Sequence, residues 1–178
     1  DGKVEYRYLD AYIDGMSSVR HLLNLDRPYN SDELNSAYAA FAKASFIEEL
    51  KPNNSDSYIL RAQIYTALKD YKRASAFINK AVKLDPKNDF AYVRRGVISY
   101  LSGDVETALT SLGYAVELNE KSKWAYLWLG IINIERKKIV TALAYYDAAI
   151  KIDGRFDIAY YNKAWVYLKK NPKDYQKA

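Results

Sequence analysis

The chain has 178 residues, room for one or two domains, with 49% hydrophobic and 28% charged residues, an ordinary globular balance. It contains no Cys, which excludes disulfides and thiolate chemistry, and no apolar run approaching the roughly 18 residues of a membrane span. The net charge of +5 is unevenly spread: residues 1–50 carry five Lys/Arg against nine acids, and the remainder 22 against 13, a bias that reads first as a well-solvated surface and second as steering of an acidic partner toward the C-terminal part.

In chain order, DGKVEYRY opens the sequence without Met or a signal-peptide pattern, as in a processed or excised chain. Residues 4–25, VEYRYLDAYIDGMSSVRHLLNL, read as one long amphipathic helix. RPYNSD breaks it, and SDELNSAYAAFAKASFIEELKP reads as a second helix capped by Asn30 or Ser31. Residues 1–54 are therefore expected to form a degenerate helical pair packed on the remainder of the chain, either as an irregular first repeat or as a separate hairpin.

From Ser55 the chain repeats every 34 residues, in copies at 55–88, 89–122, 123–156 and a partial one at 157–178. Tyr58, Tyr92, Tyr126 and Tyr160 share a column, as do Ala62, Gly96, Gly130 and Ala164. Ala74, Ala108 and Ala142 align, followed by Ala81, Ala115 and Ala149, and Leu84, Leu118 and Ile152 precede Asp85, Asn119 and Asp153. Two helices per copy explain the columns, with turns at 68–71, 102–105 and 136–139. Asp70 and Asp104 suit the N-cap of the second helix, where Lys138 cannot serve. Pro86 closes one copy, and Glu120 and Gly154 at its position predict looser joints later. The fourth copy carries Asn171-Pro172 as an insertion, and its DYQKA reaches one turn into an expected second helix.

The succession aromatic, small, Ala, large, Ala, Pro resembles the tetratricopeptide repeat (TPR). It is present as Tyr58, Ala62, Ala74, Ile78, Ala81 and Pro86, as Tyr92, Gly96, Ala108, Leu112 and Ala115, and as Tyr126, Gly130, Ala142, Tyr146 and Ala149. The resemblance implies an all-α fold, a right-handed superhelical array of antiparallel helix pairs. Its first helices would line a concave groove. By position that groove would present Asp56, Ile59, Gln63 and Thr66, then Phe90, Val93, Arg94, Val97, Tyr100 and Leu101. It would continue with Trp124, Leu127, Trp128, Ile131 and Ile134, then Ile158, Tyr161, Asn162, Trp165 and Leu168.

A groove accounts for KWAYLWLGIINI (residues 123–134), which is apolar nearly all round although a surface helix needs only one apolar stripe. One face packs in the core and the other, rich in Trp, is expected to bind an amphipathic helix or short apolar peptide. The family's clamp for chaperone C-terminal carboxylates uses Lys, Asn and Arg. The matching positions here are Ile59, Gln63, Arg94, Trp124 and Trp128, so that specificity is not expected.

Chemistry has little to stand on. One His, no Cys and scattered glycines offer no activated nucleophile, transition-metal set or phosphate loop, so neither an enzyme nor a cofactor is expected. His21 reads as structural or surface, Glu48-Glu49 diverge on a helix, and Asn53-Asn54-Ser55 matches the glycosylation pattern, a match common by chance. The expected role is a protein-interaction scaffold, alone or as the recognition arm of a larger protein. The competing expectation is a self-associating array, because helix 157–170 would leave Tyr160, Ala164 and Tyr167 uncovered. Arg136, Lys137, Lys138, Lys169, Lys170 and Lys173 could form a basic edge, but the small charge excess and the apolar groove argue against nucleic acid.

Overall fold

The computed structural model describes residues 31–170; the first predicted helix, His21 and the DYQKA segment lie outside the described residues. Eight helices and no strand occupy the described residues: α1 Ser31–Leu50, α2 Ser55–Ala67, α3 Tyr71–Leu84, α4 Asp89–Leu101, α5 Val105–Leu118, α6 Lys123–Glu135, α7 Ile139–Ile152 and α8 Asp157–Lys170. Each hairpin partner packs mainly on its mate, α2 on α3, α4 on α5 and α6 on α7. Successive hairpins then stack, and the first helices α2, α4, α6 and α8 touch in sequence along one side. The fold is an all-α solenoid, as the repeat columns require.

The 34-residue period reaches down to single hydrogen bonds. At the end of each first helix, Lys69, Gly103 and Lys137 adopt positive φ of 58°, 89° and 58°. The N–H two residues past the cap bonds back to the helix, Asp70 to Tyr65 O (2.9 Å), Asp104 to Ser99 O (2.9 Å) and Lys138 to Asn133 O (2.8 Å). This is the Schellman closure, which satisfies otherwise unpaired carbonyls and usually employs Gly at the left-handed residue. Lys69 and Lys137 hold it against a strain of about 1–2 kcal/mol each.

The residue after each left-handed position caps the second helix. Asp70 accepts from Arg73 N (3.0 Å) and Asp104 from Thr107 N (3.1 Å), whereas Lys138 makes no side-chain cap bond. The bonds these two carboxylates accept, led by Arg73 N for Asp70 and the Thr107 side chain for Asp104, hold both below the usual carboxylate range.

Between copies, a second motif recurs. Asp85 accepts from Lys87 N (3.2 Å), Asn119 from Lys121 N (2.9 Å) and Asp153 from Arg155 N (3.0 Å). These Asx turns explain the Asp/Asn column, and they form alike whether Pro86, Glu120 or Gly154 comes next.

Inside each hairpin, the small-residue column of the first helix meets a large residue of the second. A methyl added at Gly96 would fall 2.6 Å from Leu112 Cγ, and one at Gly130 would fall 2.4 Å from Tyr146 Cε1. In the first copy Ala62 shares its buried cluster with the slimmer Ile78. Residue size is thus traded within the pair, copy by copy, at constant packing. Helix α1 stands where the second helix of a preceding hairpin would, with Ala40, Ala44 and Ile47 fully buried in the columns of Ala74, Ile78 and Ala81. It is tied to α2 by Glu48, which accepts from Tyr58 Oη (3.1 Å) and pairs with Arg61 (2.8 Å).

Candidate functional site

The first helices place two depressions along their shared side. The first, about 280 Å³, is lined by Gln63 and Thr66 of α2, Arg94, Val97, Ile98 and Leu101 of α4, and Trp128 of α6. The second, about 200 Å³, is lined by Ile131, Ile134 and Glu135 of α6, Tyr146 of α7, and Tyr161, Asn162 and Trp165 of α8. Between them, Tyr100 and Trp128 pack ring to ring with centroids 5.7 Å apart. The wall is therefore a groove interrupted by an aromatic ridge.

In the first depression Gln63 is only 3% exposed, and its Oε1 is buried without a hydrogen-bond partner. Arg94 lays its guanidinium over the Phe90 ring, 4.6 Å from the centroid. At the ridge Tyr100 donates to Glu135, and burial, with that carboxylate second, pushes its phenol up to about 12. Burial alone pushes Tyr146 to about 12 as well, so both phenols stay protonated at neutral pH.

The expected groove residues separate into three groups. Arg94, Val97, Leu101, Trp128, Ile131, Ile134, Tyr161, Asn162 and Trp165 line the depressions, with Tyr100 on the ridge between them. Phe90, Ile158 and Leu168 are partly or well exposed on the same helices but line neither depression. Trp124, although 45% exposed, also lies outside both, its ring standing edge-on to Phe156 at 4.8 Å.

Val93 and Leu127 require correction, and Ile59 with them. They are 3%, 1% and 0% exposed and line neither depression. Ile59 clusters with Ala91 and Ile98, Val93 with Ala125 and Leu129, and Leu127 with Ala159 and Val166. Each is covered by the first helix of the following copy. The superhelical approach of the next hairpin, rather than the helix's own register, decides which of two adjacent apolar positions faces out. Tyr161 holds the same column in the fourth copy and is 70% exposed.

Sequence reasoning did not place Glu135 or Tyr146 at the groove. Glu135 directly follows the apolar stretch, at the helix end. Tyr146 stands on a second helix, and its ring reaches through because Gly130 leaves the gap. The pairing of the largest large-column residue with a glycine was the available signal. Among the described residues, no group of three or more His, Asp or Glu side chains could hold a metal ion, and no helix is long and apolar enough to cross a membrane.

The tetratricopeptide repeat profile matches residues 55–88, and a second profile of that repeat matches 100–155. The chain belongs to the tetratricopeptide repeat family. Solved TPR proteins share the fold. MamA has 19% identity and a TM-score of 0.64, with 99% of this chain and 97% of that one covered. YrrB, described as a TPR protein with an unusual peptide-binding site, has 24% identity and a TM-score of 0.57 over 80% of this chain and 74% of that one. The first TPR of Spaghetti (RPAP3), solved with the HSP90 peptide SRMEEVD, has 17% identity and a TM-score of 0.61 over 66% and 93%. No curated protein matches the chain. TPR proteins are generally non-enzymatic interaction scaffolds, and the repeats here support a protein–protein interaction scaffold.

Proposed function

We propose that the groove formed by α2, α4, α6 and α8 binds a short segment of a partner protein, whose apolar side chains enter the two depressions on either side of the Tyr100–Trp128 ridge. The observation that carries this reading is the ridge with its flanking hollows. A solvent-facing wall bearing Leu101, Trp128, Tyr161 and Trp165 is larger and more aromatic than a scaffold needs for its own packing. Peptide binding by YrrB and by the Spaghetti TPR lends support by analogy. The acidic, carboxylate-directed peptide of the latter has little to meet here, since Arg94 is the one cation among the lining residues. On this reading the chain has no catalytic role.

The test is selection from a displayed library of random dodecapeptides, followed by calorimetry of the best binders. Trp128→Ala is expected to weaken them at least tenfold, about 1.4 kcal/mol or more, with the helical circular dichroism unchanged. Binders that ignore both Trp128→Ala and Trp165→Ala would remove the groove from consideration.

A further inference from the structure

The two depressions differ in charge, and the second is built like a receptor for a cation. Its lining brings Tyr146, Tyr161 and Trp165 around a space of about 200 Å³ with Glu135 as the one charged side chain. Several of the described acids are neutralised by a cation, and Glu135 is not. Glu48, Glu106, Asp147 and Asp153 each hold a Lys or Arg at 2.5–3.1 Å. Glu135 instead accepts from the Tyr100 phenol and makes no ion pair among the described residues.

Arg136, the next residue, is committed to Glu106 (3.1 Å), and Lys163, beside the lining residue Asn162, to Asp147 (2.5 Å). A phenol orients a carboxylate without neutralising it, so the charge remains available at the edge of an aromatic hollow. Aromatic rings attract cations through their quadrupole, and a carboxylate beside them adds a charge-assisted hydrogen bond.

The geometry points to the second depression as the pocket for one basic side chain, Arg or Lys, of the segment bound in the groove. This rests on the groove reading and sharpens it. The partner segment then has a fixed direction, with apolar or neutral groups toward Gln63 and Arg94 and its basic residue toward Glu135 and Trp165. Arg94 reinforces the direction by repelling a cation from the first depression.

The test uses N-acetyl-arginine amide and its neutral isostere N-acetyl-citrulline amide, with the protein carrying ¹⁵N-labelled tryptophan and the three indole N–H signals assigned by substitution. Arginine amide is expected to move the Trp165 signal saturably in the millimolar range, and citrulline amide to leave it in place. Glu135→Gln keeps an acceptor for Tyr100 and removes the charge; it should weaken the arginine response about fivefold or more.

Equal shifts from both compounds, or none from arginine amide up to about 50 mM, would overturn the assignment. The library-selected peptides separate this outcome from failure of the groove itself. Peptides lost with Trp128→Ala but free of basic residues and indifferent to Glu135→Gln would keep the groove and eliminate the cation pocket.

Discussion

Gly130→Ala is expected to lower the stability of the array by about 1–3 kcal/mol in urea unfolding, against the usual direction of such a change. Alanine inside a helix normally gains about 0.5–1 kcal/mol over glycine. Here the new methyl would lie 2.4 Å from Tyr146 Cε1 and 2.7 Å from Cδ1. Tyr146 is only 1% exposed and packs in one cluster with Leu127, Ala149 and Phe156, so its ring moves aside only by giving up those contacts. Overpacking therefore outweighs the helical gain.

The first copy suggests the repair, because Ala62 coexists there with Ile78. Adding Tyr146→Ile to Gly130→Ala should recover about 1 kcal/mol or more of the loss, a favourable coupling within the range of touching residues. Gly130→Ala unfolding at the wild-type midpoint, or no coupling between the two changes, would mean that the pair is not in contact.

The second large effect concerns one column. Leu127→Ala should cost about 2–5 kcal/mol, as truncation of a fully buried leucine does. Tyr161→Ala, in the same column one copy later, should stay within about 0.5 kcal/mol. The difference arises because α8 covers Leu127 through Ala159 and Val166, while Tyr161 is 70% exposed. In a repeat array the loss at Leu127 falls on the interface between neighbouring copies, so unfolding should also become less cooperative. Comparable midpoints for the two variants would return Leu127 to the groove wall.

The contrast between those two residues marks how far the sequence could be read. Columns such as Tyr58/Tyr92/Tyr126 and Ala74/Ala108/Ala142 were legible because each copy solves the same packing problem with the same residues. Asp70 and Asp104 were legible as caps because few side chains can accept from a helix N-terminus. Lys69 and Lys137 were not legible as left-handed residues, since glycine is the usual sign of that conformation and only Gly103 displays it.

Within the candidate site, Trp128, Ile131 and Trp165 followed from helical spacing. Val93 and Leu127 were assigned to the wrong side because neighbouring apolar positions on one helix look alike until the next hairpin arrives. Trp124 satisfied the spacing as well, yet Phe156, from the joint before α8, draws its ring away from the two depressions. Tyr146 reaches the groove from a second helix, and no periodicity in the first helices carries that information.

The most direct measurement is site-specific photo-crosslinking of a library-selected peptide. A benzoylphenylalanine replaces either Leu101, exposed at the first depression, or Tyr114, exposed on the second helix of the same copy. The account predicts a covalent adduct from position 101 that excess unlabelled peptide suppresses, and only background labelling from position 114. Adducts of equal yield at both positions, or at position 114 alone, would contradict it.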